Sequence, residues 1–362
     1  IHPVRIVDWH TKRSFLKVIF QKLYKNSGRE EGTVRYFREK LQRRNVTKDV
    51  KHYEDCEQFF LSLGKCFTIE ALNQFFGLES QDSQPTKHTP PSNIREMEKE
   101  EIKKYCEDVL DEFINQFLLG LPADGDADDF VRNYSLCLLQ YYFILCDIKD
   151  AVHEGNGDRL VTLHKQLLLH FKSVPGFNTY AIEMLINVVQ NMLFLSPAQA
   201  HQCIWASTAN WKGGAGKNVE IDLLQENRNR DLKKMIKGMG ANKTDKAIEM
   251  ASRAVAGSKQ IVENFDYMVY RDGHSSSHSH ASSIKDEEKV SSDLRILRPF
   301  SIKPKRKHTS FGNIGSDPLD SLDRKKFDEW LENHKKNLML DAPIDDEDDE
   351  GEFYECEFGE YD

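Results

Sequence analysis

The stretch that decides the fold of this chain is WKGGAGKNVEIDLLQENRNRDLKKMIKGMGAN, from Trp211 to Asn242. In it a glycine-rich turn leads directly into a segment with apolar residues at helical spacing, namely Ile221, Leu224, Leu232, Met235 and Ile236. Gly238 and Gly240 then end that segment. The stretch therefore predicts a turn followed by an amphipathic helix.

Three acids, Glu220, Asp222 and Glu226, stand at the start of this predicted helix. Acids early and bases late, here in residues 228–237, are what the helix dipole favours, each contributing about 0.3–1 kcal/mol. Asp222 and Glu226, however, lie one turn apart on the same face and repel each other unless a cation lies between them. Arg230 or a divalent metal ion would supply that cation. A role in complementing the dipole and a metal site therefore both remain open.

The GGAGKN sequence before the helix is not a phosphate-binding Walker loop. Such a loop needs a glycine, four residues and then Gly-Lys-Ser/Thr, because its hydroxyl group binds the magnesium ion. Here Trp211 stands at the position of the first glycine, and Asn218 replaces the hydroxyl residue. We predict instead a loop with positive φ angles, with Asn218 as the N-cap of the helix.

Length and composition exclude several classes of protein. The 362 residues can form a sizeable core, although a hydrophobic fraction of 39% indicates long unfolded stretches as well. The longest apolar run, residues 136–145, is much shorter than the roughly 20 residues that cross a bilayer, so we expect no membrane partner. The seven cysteines are scattered without C-x-x-C spacing, which argues against a zinc site and a disulfide framework. We expect an intracellular protein, nuclear or cytoplasmic.

The net charge of −9 averages two opposite ends. Residues 341–362 hold twelve acids and no base, whereas residues 1–50 hold thirteen Lys or Arg against five acids. A tail of this kind is expected to be disordered and self-repelling. It is either simply solvated, or it mimics a polyanion and folds back on the basic end of the chain.

Composition and periodicity predict a mainly α fold with a small β component. The first predicted part is a basic N-terminal segment with a strand (VRIVDW) and helices, residues 1–78, followed by a linker or exposed loop, residues 79–93, and a helical core, residues 94–270. A low-complexity linker with a basic cluster, residues 271–317, then leads to a short helix, residues 318–340, and an acidic disordered tail, residues 341–362.

Two sets of basic residues suggest particular partners. The run KPKRK, with Lys303, Lys305, Arg306 and Lys307, is of the kind bound by nuclear import receptors or by nucleic acid. In the N-terminal segment, basic residues at helix-like spacing alternate with aromatic ones; the candidates for contact with nucleic acid are Lys12, Arg13, Arg35, Arg38, Arg43 and Arg44. Such a stripe neutralises phosphates, but a solvated helix face looks similar, so both interpretations stay open.

Several segments, taken in order, carry a resemblance to a known family. They are DWHTKRSFLKVIFQKLY, GTVRYFREKLQRRNV, CEQFF, YAIEMLINVVQNM and NWKGGAGKNVEIDLLQENRN with MGAN after it. Together they resemble the uncharacterised family catalogued as domain of unknown function six-five-eight-nine, over about residues 1–270. Members of that family look like products of mobile elements, and the architecture resembles the C-terminal part of an RNase-H-like transposase core. The family usually continues upstream, so we expect a fragment whose partners include DNA, a second copy or the missing N-terminal segment.

The resemblance to a transposase implies two-metal phosphoryl transfer. In that chemistry, acids on a strand and on a following helix hold two Mg²⁺ or Mn²⁺ ions about 3.5–4 Å apart. The catalytic residues it implies are Asp8, at the end of the predicted strand, and Glu220 or Glu226 on the helix, with Asp222 as a further metal ligand. For Asp8 the structural alternative is a cap at the end of the strand.

Two kinds of function are compatible with these features of the sequence. The first is a transposon-derived protein that associates with nucleic acid, with its catalysis either retained or lost. The second is a helical protein-interaction module that has neither nucleic-acid nor metal chemistry. Binding that weakens steeply with salt would separate the first from the second, because each phosphate contact contributes about 0.9 to the log–log slope.

Overall fold

The computed structural model describes residues 5–79, 83–119, 129–211, 213–269 and 283–340. The predicted acidic tail, residues 341–362, and the Ser/His-rich part of the predicted linker, residues 271–282, lie outside the described residues. The elements are α1 (Asp8–Leu23), α2 (Val34–Lys40), α3 (Tyr53–Phe76), α4 (Lys99–Phe117), α5 (Phe130–Glu154), α6 (Gly157–Ser173), α7 (Asn178–Val189), a π-helical turn (Gln190–Phe194), α8 (Pro197–Trp205), β1 (Thr208–Ala209), β2 (Val219–Glu220), α9 (Ile221–Gly238), α10 (Asp245–Met268), α11 (Ile284–Leu297) and α12 (Arg324–Leu340).

This set of elements confirms a mainly α fold with a small β component. The two strands pair antiparallel, with Thr208 opposite Glu220 and Ala209 opposite Val219. They bracket the glycine-rich loop and fix the point where α9 begins. Within the described residues, no helix combines the length and the apolar character needed to cross a membrane.

The predicted strand VRIVDW is wrong. Residues 5–7 have no regular secondary structure, and Asp8 and Trp9 already belong to α1. The apolar residues that follow, at positions 15, 16, 19, 20 and 23, all lie on the buried side of α1. Because the helical spacing of these residues decides which face is buried, the last two residues of the run that resembled a strand, Asp8 and Trp9, form the start of α1.

The hydrophobic core is continuous across the predicted segment boundaries. Phe20 of α1 contacts Phe60 of α3, with ring centroids 6.3 Å apart, and Phe67 of α3 contacts Phe300 at 6.2 Å. Helices α3 and α5 approach closely at Gly64, where an added Cβ would lie 2.1 Å from Cδ2 of Tyr142. One cluster of buried apolar residues therefore joins the predicted N-terminal segment, the predicted helical core and the region after residue 283.

The structure also differs from the prediction that residues 271–317 form a linker. Residues 284–297 form α11, which packs against α3 and buries Val290 and Leu294. Its polar residues are engaged too, since Lys40 Nζ lies 2.5 Å from a carboxylate oxygen of Asp293 and Lys65 Nζ lies 2.7 Å from one of Glu287. The few apolar residues of α11 are diluted by acids and serines, so composition concealed a helix that is amphipathic and packed.

The basic run KPKRK is divided between the interior and the surface. Nε of Arg306 donates to Oδ1 of Asp129 at 2.8 Å, and its Nη2 donates to Oδ2 at 2.8 Å. Asp129 is fully buried, and the same guanidinium also donates to the backbone carbonyl oxygens of residues 299 and 301. Arg306 is thus a structural residue, whereas Lys303, Lys305 and Lys307 are exposed. The nuclear-import interpretation stays a prediction that depends on these three lysines.

Substitutions on α11 test whether this helix belongs to the core. Leu294 is 0% exposed and Ile296 is 77% exposed on the same helix. We expect Leu294→Ala to lower the free energy of unfolding by about 2–5 kcal/mol, through reduced burial and the cavity it leaves. Ile296→Ala is the control and should change the free energy by less than about 0.5 kcal/mol. Urea unfolding followed by circular dichroism measures both, and equal effects would contradict the packing of α11.

Candidate functional site

Three of the four acids predicted as catalytic or metal-binding, Asp8, Glu220 and Asp222, belong to α1 or contact its first turns, and Glu226 does not. Asp8 and His10 lie at the start of α1, Glu220 ends β2, and Asp222 is in the first turn of α9. Helix α1 packs against α5, α6 and α9, so it carries these side chains between three neighbouring helices. We call this group the α1 charge cluster.

Asp222 caps the N-terminus of α1 from a distance of more than 200 residues in sequence. One carboxylate oxygen accepts from the backbone N–H of Trp9 at 3.2 Å, and the other accepts from the N–H of His10 at 3.1 Å and from its Nδ1 at 3.0 Å. The residue at the N-cap position of α1, Val7, has no side-chain oxygen to do this. The first N–H groups of a helix need such a partner, so Asp222 has a structural role. Burial alone would raise the pKa of Asp222, but these hydrogen bonds lower it below the usual value.

Asp8 is the last acceptor in a series of side-chain hydrogen bonds. The amide nitrogen of Asn191 donates to the oxygen of Asn187, and the amide nitrogen of Asn187 lies 3.2 Å from Nδ1 of His164. His164 Nε2 lies 2.7 Å from Oδ1 of Asp8. Because Nδ1 accepts from the amide, Nε2 carries the proton and donates to the carboxylate. This arrangement places Asp8 in a helix, held by α6 and α7, and not at the end of a strand.

Glu220 forms a buried ion pair with Lys12. The Lys12 Nζ lies 2.5 Å from Oε1 of Glu220, and both side chains are buried. A second pair lies nearby, where Lys149 donates to Glu57 at 2.9 Å. Burial would raise the pKa of Glu57, but the charges of Lys12 and Lys149 lower it. The cationic partners of these acids are therefore lysines of the chain itself.

The residues of the α1 charge cluster do not fit a two-metal centre. Asp8, Glu220 and Asp222 each have a donor or a cation of the chain as partner, and Glu226 stands half-buried one turn further along α9. Within the described part of the chain, no group of three or more His, Cys, Asp or Glu side chains is placed to hold a metal ion. The group beside the Asp222 carboxylate is the His10 ring, whose Nδ1 lies 3.0 Å from Oδ2. The metal site stays a prediction, and we derive no catalytic step from it.

The glycine-rich loop has the predicted backbone but a different cap. Gly213, Gly214 and Gly216 have φ angles of 74°, 93° and 68°. The residue at the N-cap position of α9 is Glu220, without a capping side-chain hydrogen bond. Asn218 uses its amide to donate to the carbonyl oxygen of His153 at 2.8 Å, which ties the loop to the end of α5. The prediction of Asn218 as N-cap was wrong because β2 adds two residues before the helix begins.

The six basic residues predicted to contact nucleic acid do not share one exposed face. Lys12 is buried, and Arg13 is half-buried. Arg35 donates to the hydroxyl of Tyr24 at 2.7 Å and pairs with Glu39. Arg38 donates to the backbone carbonyl oxygens of residues 44 and 46. Arg43 pairs with Asp286, and Arg44 is exposed. Most of this set therefore serves the fold.

A different set of bases is exposed together on α9. Arg230, Lys233, Lys234 and Lys237 recur at i, i+3, i+4 and i+7, so they line one face of the helix, and all are exposed. We call them the basic stripe. The helix dipole explains only bases in the last turn. The signal in the sequence was the whole of residues 228–246, which hold seven Lys or Arg against two acids and continue past the end of α9.

Helix α10 packs against α9 and leaves much of its apolar face uncovered. Ala251, near its start, is buried, but Ile261 and Phe265 further along are 70% and 57% exposed. A second exposed apolar group lies in and after the π-helical turn, at Met192, Leu193, Phe194 and Trp205. Exposed apolar groups of this kind mark sites of interaction with other proteins.

Breaking the buried ion pair tests whether the acids are structural. We expect Lys12→Met to lower the free energy of unfolding by about 3–5 kcal/mol, because it leaves the Glu220 carboxylate buried and unpaired. The double variant Lys12→Met, Glu220→Gln should be more stable than the single Lys12→Met, since no unpaired charge remains. Urea unfolding of the four members of this mutant cycle measures the coupling. Additive effects would show that the two side chains do not interact.

Acid titration tests the cap that Asp222 provides. Because its pKa is lower in the folded than in the unfolded chain, its stabilising contribution is complete above the unfolded value and disappears as the pH falls through the folded value. We expect Asp222→Asn to lower the free energy of unfolding by about 1–2 kcal/mol at pH 7. The difference in unfolding free energy between the variant and the original chain should become smaller towards pH 3. The exposed Asp111→Asn on α4 is the control. A difference in unfolding free energy that is independent of pH would contradict the proposal that the Asp222 carboxylate caps α1.

Comparison with known proteins gives a family but no function. The family model described as Family of unknown function (DUF6589) matches residues 5–280, which span every residue of the α1 charge cluster, the basic stripe and α10. No curated protein and no solved structure matches the chain. Since the match covers more than half of its length, the chain belongs to this family of unknown function.

Proposed function

We propose that this chain is a nucleic-acid-binding protein derived from a mobile element, and that it binds without performing strand transfer. The observation that carries the proposal is the basic stripe of α9. Four bases lie on one exposed helix face, and Lys243 and Lys246 continue the positive charge into the turn and the start of α10. This placement concentrates positive charge on the solvent side of the two helices.

The dimensions of the stripe suit a phosphate backbone. From Arg230 to Lys237 the helix rises about 10 Å, which is long enough for two successive phosphates of one strand. Lysine and arginine side chains are long enough to follow a backbone of either single- or double-stranded nucleic acid. Such contacts bind without reading the base sequence. A non-specific polyanion is therefore the ligand class, with DNA as the target that a mobile-element origin favours.

The absence of strand transfer is supported by how the acids are used. A catalytic carboxylate must be able to bind a metal ion, but Glu220 is paired with Lys12 and Asp222 holds the first N–H groups of α1. Removing either carboxylate from these contacts would leave buried partners without a hydrogen bond. The resemblance to a transposase thus supports a mobile-element origin and a nucleic-acid ligand. The contacts of these acids do not support metal-dependent strand transfer.

Salt dependence tests the proposal. We expect the triple variant Arg230→Gln, Lys234→Gln, Lys237→Gln to weaken binding to a fluorescent oligonucleotide. It should also lower the slope of log K against log salt by about 0.7–0.9 for each phosphate that the variant no longer neutralises. The control removes the same charge from α4, where Lys99, Lys103 and Lys104 are also exposed. Fluorescence anisotropy between about 50 and 200 mM salt measures both variants.

Two outcomes would contradict the proposal. Equal weakening in the stripe variant and the α4 variant would mean that net charge alone matters. Cleavage of DNA that requires Mg²⁺ or Mn²⁺ and is abolished in Glu226→Gln would show that catalysis is retained, since Glu226 is outside the buried pairs and its substitution spares the fold.

A helical protein-interaction module is the second candidate function. It is favoured by the exposed apolar face of α10 and by the exposed apolar group at residues 192–194. A partner bound there would be held by apolar burial, and its affinity would change little with salt. Absence of salt-sensitive oligonucleotide binding, together with a salt-insensitive protein complex that Phe265→Asp abolishes, would favour this function over the first.

A further inference from the structure

We infer that the C-terminal segment, residues 341–362, binds in cis to the hairpin formed by α9 and α10, and there competes with nucleic acid for the basic stripe. The inference rests on the proposed function for its consequence, but the contact itself does not require nucleic acid. It assigns an occupant to a surface that the described part of the chain leaves exposed.

The surface combines positive charge with an uncovered apolar edge. Helix α9 has 18 residues and α10 has 24, so α10 is longer by about 9 Å. The apolar residues of α10 at positions 248, 251, 255, 262 and 265 are three, four or seven residues apart, so they lie on one face of the helix. The half near the turn is buried or half-buried against α9, whereas Val262 and Phe265 are exposed. The same face is therefore covered at one end and open at the other.

The chemistry of the C-terminal segment matches both features. It holds twelve acids and no base, and it also holds four aromatic residues, Phe353, Tyr354, Phe358 and Tyr361. Acids complement the basic stripe, and aromatic side chains interspersed among them complement the uncovered apolar face of α10. A second copy of the hairpin is a poorer occupant, because it would bring one basic stripe against another.

The segment begins close enough to reach the hairpin. Helix α12, which precedes it, is held to the body of the protein, since Phe327, Trp330 and Leu331 pack against the core and Lys172 Nζ lies 4.6 Å from the ring centroid of Trp330. Twenty-two residues span at most about 70 Å, whereas a chain of this length folds to a radius of gyration of about 20 Å. A tethered ligand of this kind acts at a millimolar effective concentration, so a weak intrinsic affinity suffices.

The experiment compares variants of the chain of residues 1–362 that differ only in which acids are neutralised. One variant carries Asp345→Asn, Asp346→Asn, Asp348→Asn and Asp349→Asn. The matched control carries Glu100→Gln, Glu107→Gln, Asp108→Asn and Asp111→Asn on the exposed side of α4. We expect hydrogen–deuterium exchange of α10 residues 259–268 to rise in the first variant and not in the control. Oligonucleotide affinity should rise about tenfold in the first variant only.

The outcomes separate the inference from the proposed function. Faster exchange in α10 without oligonucleotide binding by any chain would support the cis contact and overturn the proposed function. Unchanged exchange in α10, together with salt-sensitive binding that requires the stripe, would overturn the inference and leave the function standing. Equal increases in affinity in both variants would also overturn it, as would protection of α10 that increases with protein concentration, because that protection comes from a second copy.

Discussion

The buried ion pair between Lys12 and Glu220 is the interaction on which the arrangement of the candidate site depends. Glu220 is the residue where β2 ends and α9 begins, and Lys12 lies in the second turn of α1. The pair, together with the cap that Asp222 places on α1, fixes where α9 leaves the body of the protein. Because both charges are out of water, neither can be removed without leaving the other unpaired. The direction of the α9–α10 hairpin is thereby set.

That constraint gives the two ends of α9 different roles. The first turn of α9 is committed to α1 through Asp222, so its acids are internal. Past that turn, the apolar residues of α9 face α10 and the basic stripe faces outwards. The buried end of α9 anchors the helix in the fold, and its exposed basic end is free of that role and can bind a ligand. The proposed binding of nucleic acid and the proposed competition by the acidic segment both use this outer half.

The ion pair between Arg306 and Asp129 holds together parts of the chain that composition alone would separate. Arg306 reaches the fully buried Asp129 at the start of α5, and its fork geometry allows two parallel hydrogen bonds to one carboxylate. Helix α11 lies nearby in sequence and packs on α3. The region after residue 283 is therefore part of the same core as α1 and α3, although its sequence is polar and rich in charge.

The sequence by itself determined the helical character of the chain, the positive φ angles of the glycine-rich loop and the position of α9 to within a few residues, and it predicted residues 318–340 for the helix that forms as α12 (Arg324–Leu340). Those features follow from local rules, namely the spacing of apolar residues and the backbone freedom of glycine. The tertiary structure alone decided which charges are used inside. Asp8, Lys12, Glu220 and Asp222 look like surface or catalytic residues in sequence, but their partners lie 156 to 213 residues away. Since the role of a charged side chain depends on the partner that it meets in space, no local pattern could separate these internal acids and bases from the exposed basic stripe of α9.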